Sequence, residues 1–428
     1  MRSIAIIGAG ITGVTTAYAL AGKGYDVTVF DRNRYAAMET SFANGGQLSA
    51  SNAEVWNNWS TVFKGIKWML RRDAPLLFNP KPSWHKYSWM AEFVANIPRY
   101  RENTIATARM AIQGRRYMFE MADKENIDFD LERRGILHIY RSKSEFDHAS
   151  RVNDMLSEAG LDRRPVTPQE MKDIEPTLHG EYYGGFFTPS DCTGDIHKFT
   201  RGLADACERM GVRFELNADV TKIAAGERQR VTWREAGEYS DLREHEAEFD
   251  GLVICAGSYS RKLASMVGDR VNIYPVKGYS ITVMMDDEES RAGAPWVSLL
   301  DDHTKIVTSR YKNRFRVAGT AEYNGFNRDI RHDRIEPLIQ WVAHCFPQVN
   351  TSQCVPWAGL RPMMPNMMPH VGAGSRPGIF YNTGHGHLGW TLSAATAEII
   401  GEVVAQKLPP DAPAPRQQVA ARARVAAL

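Results

Sequence analysis

The stretch Ser3-Ile4-Ala5-Ile6-Ile7-Gly8-Ala9-Gly10-Ile11-Thr12-Gly13 joins a short apolar, β-branched run to three glycines in GxGxxG spacing. The run suits a buried parallel strand, and apolar periodicity over residues 11–22 predicts a helix directly after it. A second strand is expected at residues 25–30, ending on Asp31. Each glycine has its own reason: Gly8 permits the tight turn, Gly10 lets the backbone approach a pyrophosphate, and Gly13 brings helix close to strand. The pyrophosphate would rest on the helix N-terminus, where free N–H groups and the dipole favour an anion. Asp31, 18 residues beyond Gly13, stands where a carboxylate accepts hydrogen bonds from an adenosine ribose. In a chain with 34 glycines the pattern alone is weak; its place between strand and helix carries the inference of a bound dinucleotide. FAD and NAD satisfy it equally.

Outward from this unit, Glu39-Thr40-Ser41-Phe42-Ala43-Asn44-Gly45-Gly46-Gln47 is a small-residue loop able to pass close to a flat ring system. Ser51-Asn52-Ala53-Glu54 reads as a capping box for an amphipathic helix marked by Trp56, Trp59, Phe63, Ile66 and Leu70 and ended by Pro75. Helices are expected at 103–125, 144–159 and 195–210, and strands at 135–140, 212–216 and 251–255, the last two within the dinucleotide sheet. Residues 229–248 are polar enough for an exposed hairpin, while 271–284, 305–310 and 315–319 predict an antiparallel sheet. A strand at 378–382, the turn Gly384-His385-Gly386-His387-Leu388-Gly389-Trp390 and a helix at 391–405 follow. The expected fold class is α+β. A Rossmann-like dinucleotide domain with a parallel sheet is assembled from residues 1–55, 190–268 and 355–408. Residues 56–189 and 269–354 form an inserted substrate domain of helices and a mainly antiparallel sheet. Residues 409–428, rich in Pro, Ala and Arg, read as a disordered tail.

At 428 residues the chain holds two to three units of roughly 150. Hydrophobic residues at 43% and charged ones at 24% are ordinary globular usage. With 52 basic residues against 50 acidic ones there is no footprint for nucleic acid. Five cysteines, widely spaced and without zinc-type spacing, point to a reducing cytoplasm. No secretory signal and no apolar run of membrane-spanning length is recognised. Residues 56–101 depart from this balance, with Trp56, Trp59, Trp68, Trp84 and Trp89 beside Lys64, Lys67, Arg71, Arg72, Lys81, Lys86, Arg99 and Arg101, against only Asp73 and Glu92. Bases with interfacial aromatics match a membrane-surface patch. The rival reading packs the Trp stripe inward under a solvated basic face. The expected location is the cytoplasm, with peripheral contact on the inner membrane.

A second glycine-rich helix start, near Trp390, serves a flavin better than a nicotinamide, because a helix N-terminus stabilises the negative charge a flavin gains on reduction. With GAGITG, ETSFANGGQ at 39–47, PVKGYS at 275–280, GLRP at 359–362 and NTGHGHLGWT at 382–391, the chain resembles the bacterial D-amino acid dehydrogenase small-subunit family. That family lies within the D-amino acid oxidase and glycine oxidase superfamily of FAD enzymes, and the resemblance spans residues 1–408. It implies oxidative deamination of a D-amino acid: hydride passes from Cα to flavin N5, the imine hydrolyses to a 2-oxo acid, and a quinone or other carrier takes the electrons. The alternatives are a secondary amino acid substrate, of the D-hydroxyproline or N-alkylglycine type, and a noncatalytic redox-sensing flavoprotein. The FAD contacts implied are Gly8, Gly10, Ile11, Thr12, Gly13, Asp31 and Arg32; Ser41, Ala43, Asn44, Gly45, Gly46, Gln47 and Leu48; Val220, Ala256 and Gly257; and Gly384, Gly386, His387, Leu388, Gly389, Trp390 and Thr391. Some relatives attach FAD through a cysteine near the position of Gly359; here the nearest is Cys354, so FAD is expected to be noncovalent. Met364 and Asn366 stand where the family usually has threonine and aspartate, and His387 where it has threonine. These departures predict a substrate preference other than D-alanine.

Oxidising an α-amino acid demands a held carboxylate and an aligned Cα hydrogen, so orientation supplies most of the catalysis. Arginine's planar fork binds a carboxylate bidentately. Arg361, in GLRP, matches the carboxylate-binding arginine of related amino acid oxidases. His385 is a candidate donor to substrate or flavin. Tyr279 and Tyr311 are candidate hydroxyl donors to the carboxylate, and Gln47 and Ser49 candidate cavity residues. His385 and His387 lack a carboxylate or cysteine partner nearby, so no metal is expected.

Overall fold

Strand Ser3–Ile7 lies between Asp26–Phe30 and Gly251–Ile254, parallel to both, with Ile4 opposite Val27 and Gly251. This is a computed structural model that describes residues 1–68, 76–236 and 243–411. The parallel sheet runs His370–Ala373, Ile379–Thr383, Gly251–Ile254, Ser3–Ile7, Asp26–Phe30, Arg213–Glu215, with only the first strand antiparallel. Its faces follow the period of two along a strand. Ile4 and Ile6 pack under helices Ile11–Gly22, Ile196–Arg209 and Gly389–Lys407, while Ala5 and Ile7 face a core with Val220, Val231 and Leu263. That second core is roofed by the three-stranded sheet Ala218–Ala224, Gln229–Glu235, Glu244–Phe249, where the polar hairpin was expected. Helix Tyr100–Glu125 packs on Gly389–Lys407, so closely that a Cβ on Gly114 would meet the Thr391 carbonyl at 2.5 Å.

The larger sheet holds nine strands among the described residues and is antiparallel except where Ser298–Asp301 meets Ile136–Tyr140 and Arg314–Tyr323 meets Leu76–Phe78. Its long strands are Tyr274–Met284, Arg314–Tyr323 and Cys354–Met363. The segment 355–408 therefore divides. Cys354–Met363 pairs along its length with Tyr274–Met284 in the large sheet, and only from His370 does the chain return to the parallel sheet.

The expected capping box is not formed. Ser51 Oγ is taken by His138 Nε2 at 2.8 Å and the Ser51 N–H by Asp191 at 3.0 Å, so a buried polar network outcompetes a local cap. The helix begins at Trp59, where Asn58 Oδ1 accepts the Thr61 N–H at 2.8 Å. Trp56 lies ahead of it. The aromatic stripe also splits: Trp89 is buried and donates to the Met363 carbonyl at 2.8 Å, whereas Trp59, Phe63 and Trp84 are 56%, 66% and 84% exposed. Lys86 is buried and donates to the carbonyls of Asn79 and Lys81, so it belongs to no surface patch. Leu70, Arg71, Arg72, Asp73, Pro75, the side chains of Lys64, Ile66, Lys67 and Trp68, and tail residues 412–428 lie outside the described residues. No helix among the described residues is long and apolar enough to cross a membrane.

Candidate active site

Where the two sheets meet, a cavity of about 890 Å³ is lined by Gly8, Gly10, Ile11, Thr12, Asp31 and Arg32 from the first βαβ unit and by Ser41 and Ala43 to Gln47 from the loop. Val220, Ala256, Gly257, Gly384 and Gly386 to Trp390 complete the cofactor candidates on its wall. Gly8, at φ +109°, has room for no Cβ, which would sit 2.6 Å from the Cys255 carbonyl oxygen. Gly13, Leu48 and Thr391 do not line the cavity. Gly13 packs so closely that a Cβ would lie 1.8 Å from the Gly8 oxygen, and Thr391 Oγ1 accepts the Ser49 N–H. Their part is in shaping the turn and the loop.

The wall fits a flavin dinucleotide on several counts. Helix Ile11–Gly22 starts at Gly10 with no side-chain cap, leaving its N-terminus to an anion. Asp31 accepts the Ala9 N–H at 2.7 Å and the Asn33 N–H at 2.8 Å, and burial pushes its carboxyl pKa upward. Arg32 lies over the Tyr259 ring at 3.9 Å and pairs with Glu39. Trp390 Nε1 is buried on the cavity wall without a partner among the described residues, a donor left over for a bound group.

The substrate candidates separate more sharply. Arg361 lines the cavity over Gly278, where a Cβ would collide with its guanidinium at 2.4 Å, which gives PVKGYS its glycine. Arg361 Nη1 donates to the Thr320 carbonyl at 3.0 Å, and no carboxylate pairs with it among the described residues. Burial lowers its pKa to about 10, so it remains a cation at neutral pH. Thr320 sits at φ +54°, an outlier for a β-branched residue, and that turn carries its carbonyl to the guanidinium.

Tyr311 does not reach the cavity. It is fully buried beneath the loop, and a Cβ on Gly46, itself at φ +76°, would lie 1.6 Å from the Tyr311 hydroxyl. Tyr279 reaches the cavity wall, but its hydroxyl donates to Glu322 at 2.6 Å within a buried network that includes Lys277. His385 is likewise engaged, through Nε2 to Thr396 Oγ1 at 2.9 Å, and burial holds its pKa down at about 3. Gln47 lines the cavity with Nε2 donating to Ser298 Oγ and the Leu299 carbonyl. Ser49 lines it too, and shares a hydrogen bond of 3.1 Å with Ser51.

Trp56, Glu54, His148, Asp302, Lys305 and Thr320 line the same cavity; in the sequence Glu54 reads as a capping residue and Trp56 as a helix aromatic, and no motif singles out the other four. Trp56 stacks on His387 at 4.7 Å with an interplanar angle of 18°, so the histidine that departs from the family pattern forms part of an aromatic wall. Cys354 does not line the cavity.

A family model described as FAD dependent oxidoreductase matches residues 3–403. The chain is 64% identical over 413 residues to D-amino acid dehydrogenase 3 of Mesorhizobium japonicum, covering 96% of this chain and 99% of that one. It is 41% identical over 412 residues to a D-amino acid dehydrogenase of Paramagnetospirillum magneticum, covering 94% of each. Among solved structures, glycine oxidase from Geobacillus kaustophilus shares the fold with a TM-score of 0.71 at 19% identity, over 95% of this chain and 96% of that one.

Proposed function

This chain belongs to the FAD dependent oxidoreductase family, and from that premise we propose that it oxidises the Cα–N bond of a D-amino acid to an imine, which water converts to a 2-oxo acid and ammonia. The observation that carries the reading is Arg361, a guanidinium on the cavity wall with no carboxylate of its own among the described residues. FAD, when bound there, would supply the two-electron oxidation. The chain supplies orientation. Arg361 takes the substrate carboxylate bidentately while the Thr320 carbonyl fixes the guanidinium plane. Gln47 and Ser49 border the substrate space, whereas the hydroxyl of Tyr279 is engaged by Glu322, which is not on the cavity wall. No side chain is required as a base, since a neutral amine can release hydride as it becomes the iminium.

The cofactor would be held at its ribose by Asp31, at its pyrophosphate by the Gly8 to Thr12 turn, and at its ring by residues 43–47 and 384–390. It is noncovalent in this reading, because Cys354 lies off the cavity wall. A quinone in the adjoining membrane is the electron acceptor. In support of that step, Trp59, Phe63, Trp84 and Tyr87 form exposed aromatics on the helices Trp59–Trp68 and Trp84–Ala95.

The test is product analysis with a dye acceptor. A D-amino acid should yield equal amounts of its 2-oxo acid and ammonia while its L-enantiomer yields neither. Absence of 2-oxo acid from every amino acid offered would overturn the reading.

A further inference from the structure

Among the charged or ionisable side chains on the cavity wall, Glu54, His148, Asp302 and Lys305 lie outside the residues assigned above to FAD and to the carboxylate. Glu54 comes from the loop before helix Trp59–Trp68, His148 from helix Lys143–Glu158, and Asp302 and Lys305 from the turn joining Ser298–Asp301 to Ile306–Tyr311. They meet in pairs. Glu54 Oε1 accepts from the Tyr100 hydroxyl at 2.6 Å and lies 3.1 Å from His148 Nε2; Lys305 Nζ donates to Asp302 Oδ1 at 2.5 Å. Lys305 holds φ +59° in its turn, and its side chain, 48% open, borders the cavity. Burial alone would raise the Asp302 pKa, but Lys305 overrides it and holds the carboxylate at about 2, so both members of the pair stay charged. His387 lies within the field of both Arg361 and Lys305, each of which adds to the effect of burial in lowering its pKa. Glu54, His148, Asp302 and Lys305 thus line the same cavity as Arg361 and His387.

We propose that Glu54, Asp302 and Lys305 form a side-chain subsite selecting D-amino acids whose side chain ends in a hydroxyl or carboxamide, a group that both donates and accepts. The inference rests on the amino acid reading given above. The wall offers carboxylate oxygens and ammonium N–H groups together. An apolar side chain would strip water from these groups and return no hydrogen bonds, which a site built to hydrogen-bond its substrate penalises heavily. A carboxylate side chain meets two carboxylates, Glu54 and Asp302, against one ammonium and is repelled, while a cationic one would have to compete with Lys305, already paired with Asp302, for the same acceptors.

The experiment compares near-isosteric pairs with the holoenzyme: D-threonine against D-valine, and D-glutamine against D-methionine. The polar member of each pair should have the higher kcat/KM by at least about tenfold. Lys305→Met and Glu54→Gln should each shrink that ratio several-fold, provided the variant keeps its flavin spectrum and thermal midpoint. The wild-type ratios stand on their own where a variant does not fold. Equal or inverted wild-type ratios, or ratios unchanged in folded variants, overturn the subsite. A flavin left oxidised by all four substrates and by glycine and D-alanine would instead overturn the amino acid reading beneath it.

Discussion

Thr320 bears the strain of φ +54° in strand Arg314–Tyr323, and the carbonyl so turned binds Arg361. Strain held beside a half-buried guanidinium that pairs with no carboxylate among the described residues supports the clamp proposal. If Arg361 is the clamp, Arg361→Lys should keep FAD but lower kcat/KM about a hundredfold, roughly 3 kcal/mol, because an ammonium cannot form two parallel bonds. Steady-state kinetics check this, and unchanged values would return Arg361 to a structural role. The arginine's place on the cavity wall was legible through the resemblance of GLRP to related oxidases; the engagement of the tyrosines was not. Whether a tyrosine hydroxyl is free depends on neighbours distant in sequence, Glu322 for Tyr279 and Gly46 for Tyr311. His385 and His387 bring a second prediction. Burial lowers their pKa values from the ordinary 6.5 to about 3 and about 4. The unfolded chain then binds more protons than the folded one below pH 6.5, so their contribution to stability is complete above that value and is lost progressively as pH falls toward 4 for His387 and toward 3 for His385. Tm should drop across this interval, and His385→Gln should flatten the drop. A profile unchanged by the substitution would show that other groups set it.

Helix Ile11–Gly22 and strand Ser3–Ile7 were legible because glycine spacing and apolar period agree there with the tertiary packing. Gly13→Ala should therefore be severe: its methyl has 1.8 Å where a carbon needs nearly twice that, so the helix must move off the Gly8 turn. The expected result is a folded or partly folded protein that loses FAD on gel filtration, and full flavin retention would contradict the packing argument. The capping box at Ser51 failed for the converse reason. Cap motifs describe local hydrogen bonds, and here His138 and Asp191, far along the chain, take the same groups. Strand Cys354–Met363 was assigned with the residues that follow it, since nothing in an alternating strand states which sheet it will join.

Across the whole molecule, the presence of a parallel sheet and of a mainly antiparallel one was readable from periodicity and glycine placement, whereas the charged wall of the cavity was not. Glu54, His148, Asp302 and Lys305 come from three separate segments, and tertiary packing gathers them: helix Lys143–Glu158 lies against strand Ile136–Tyr140 of the large sheet, and the Tyr100 hydroxyl holds Glu54. The aromatic surface was half legible: composition located it, but exposure had to separate Trp59 and Trp84 from Trp89. Replacing Trp59 and Trp84 together by serine should weaken sedimentation with anionic vesicles several-fold while leaving dye-coupled turnover intact, since neither side chain lies on the cavity wall. Equal sedimentation of the variant would remove these residues from membrane contact. The most direct test of the central claim is the visible absorption of the bound flavin on anaerobic mixing with matched D- and L-amino acids. The oxidised band should disappear with the D-enantiomer and persist with the L-enantiomer, and in Arg361→Ala it should persist with both; a band that persists in the wild type with every amino acid, or that bleaches equally in wild type and variant, would contradict it.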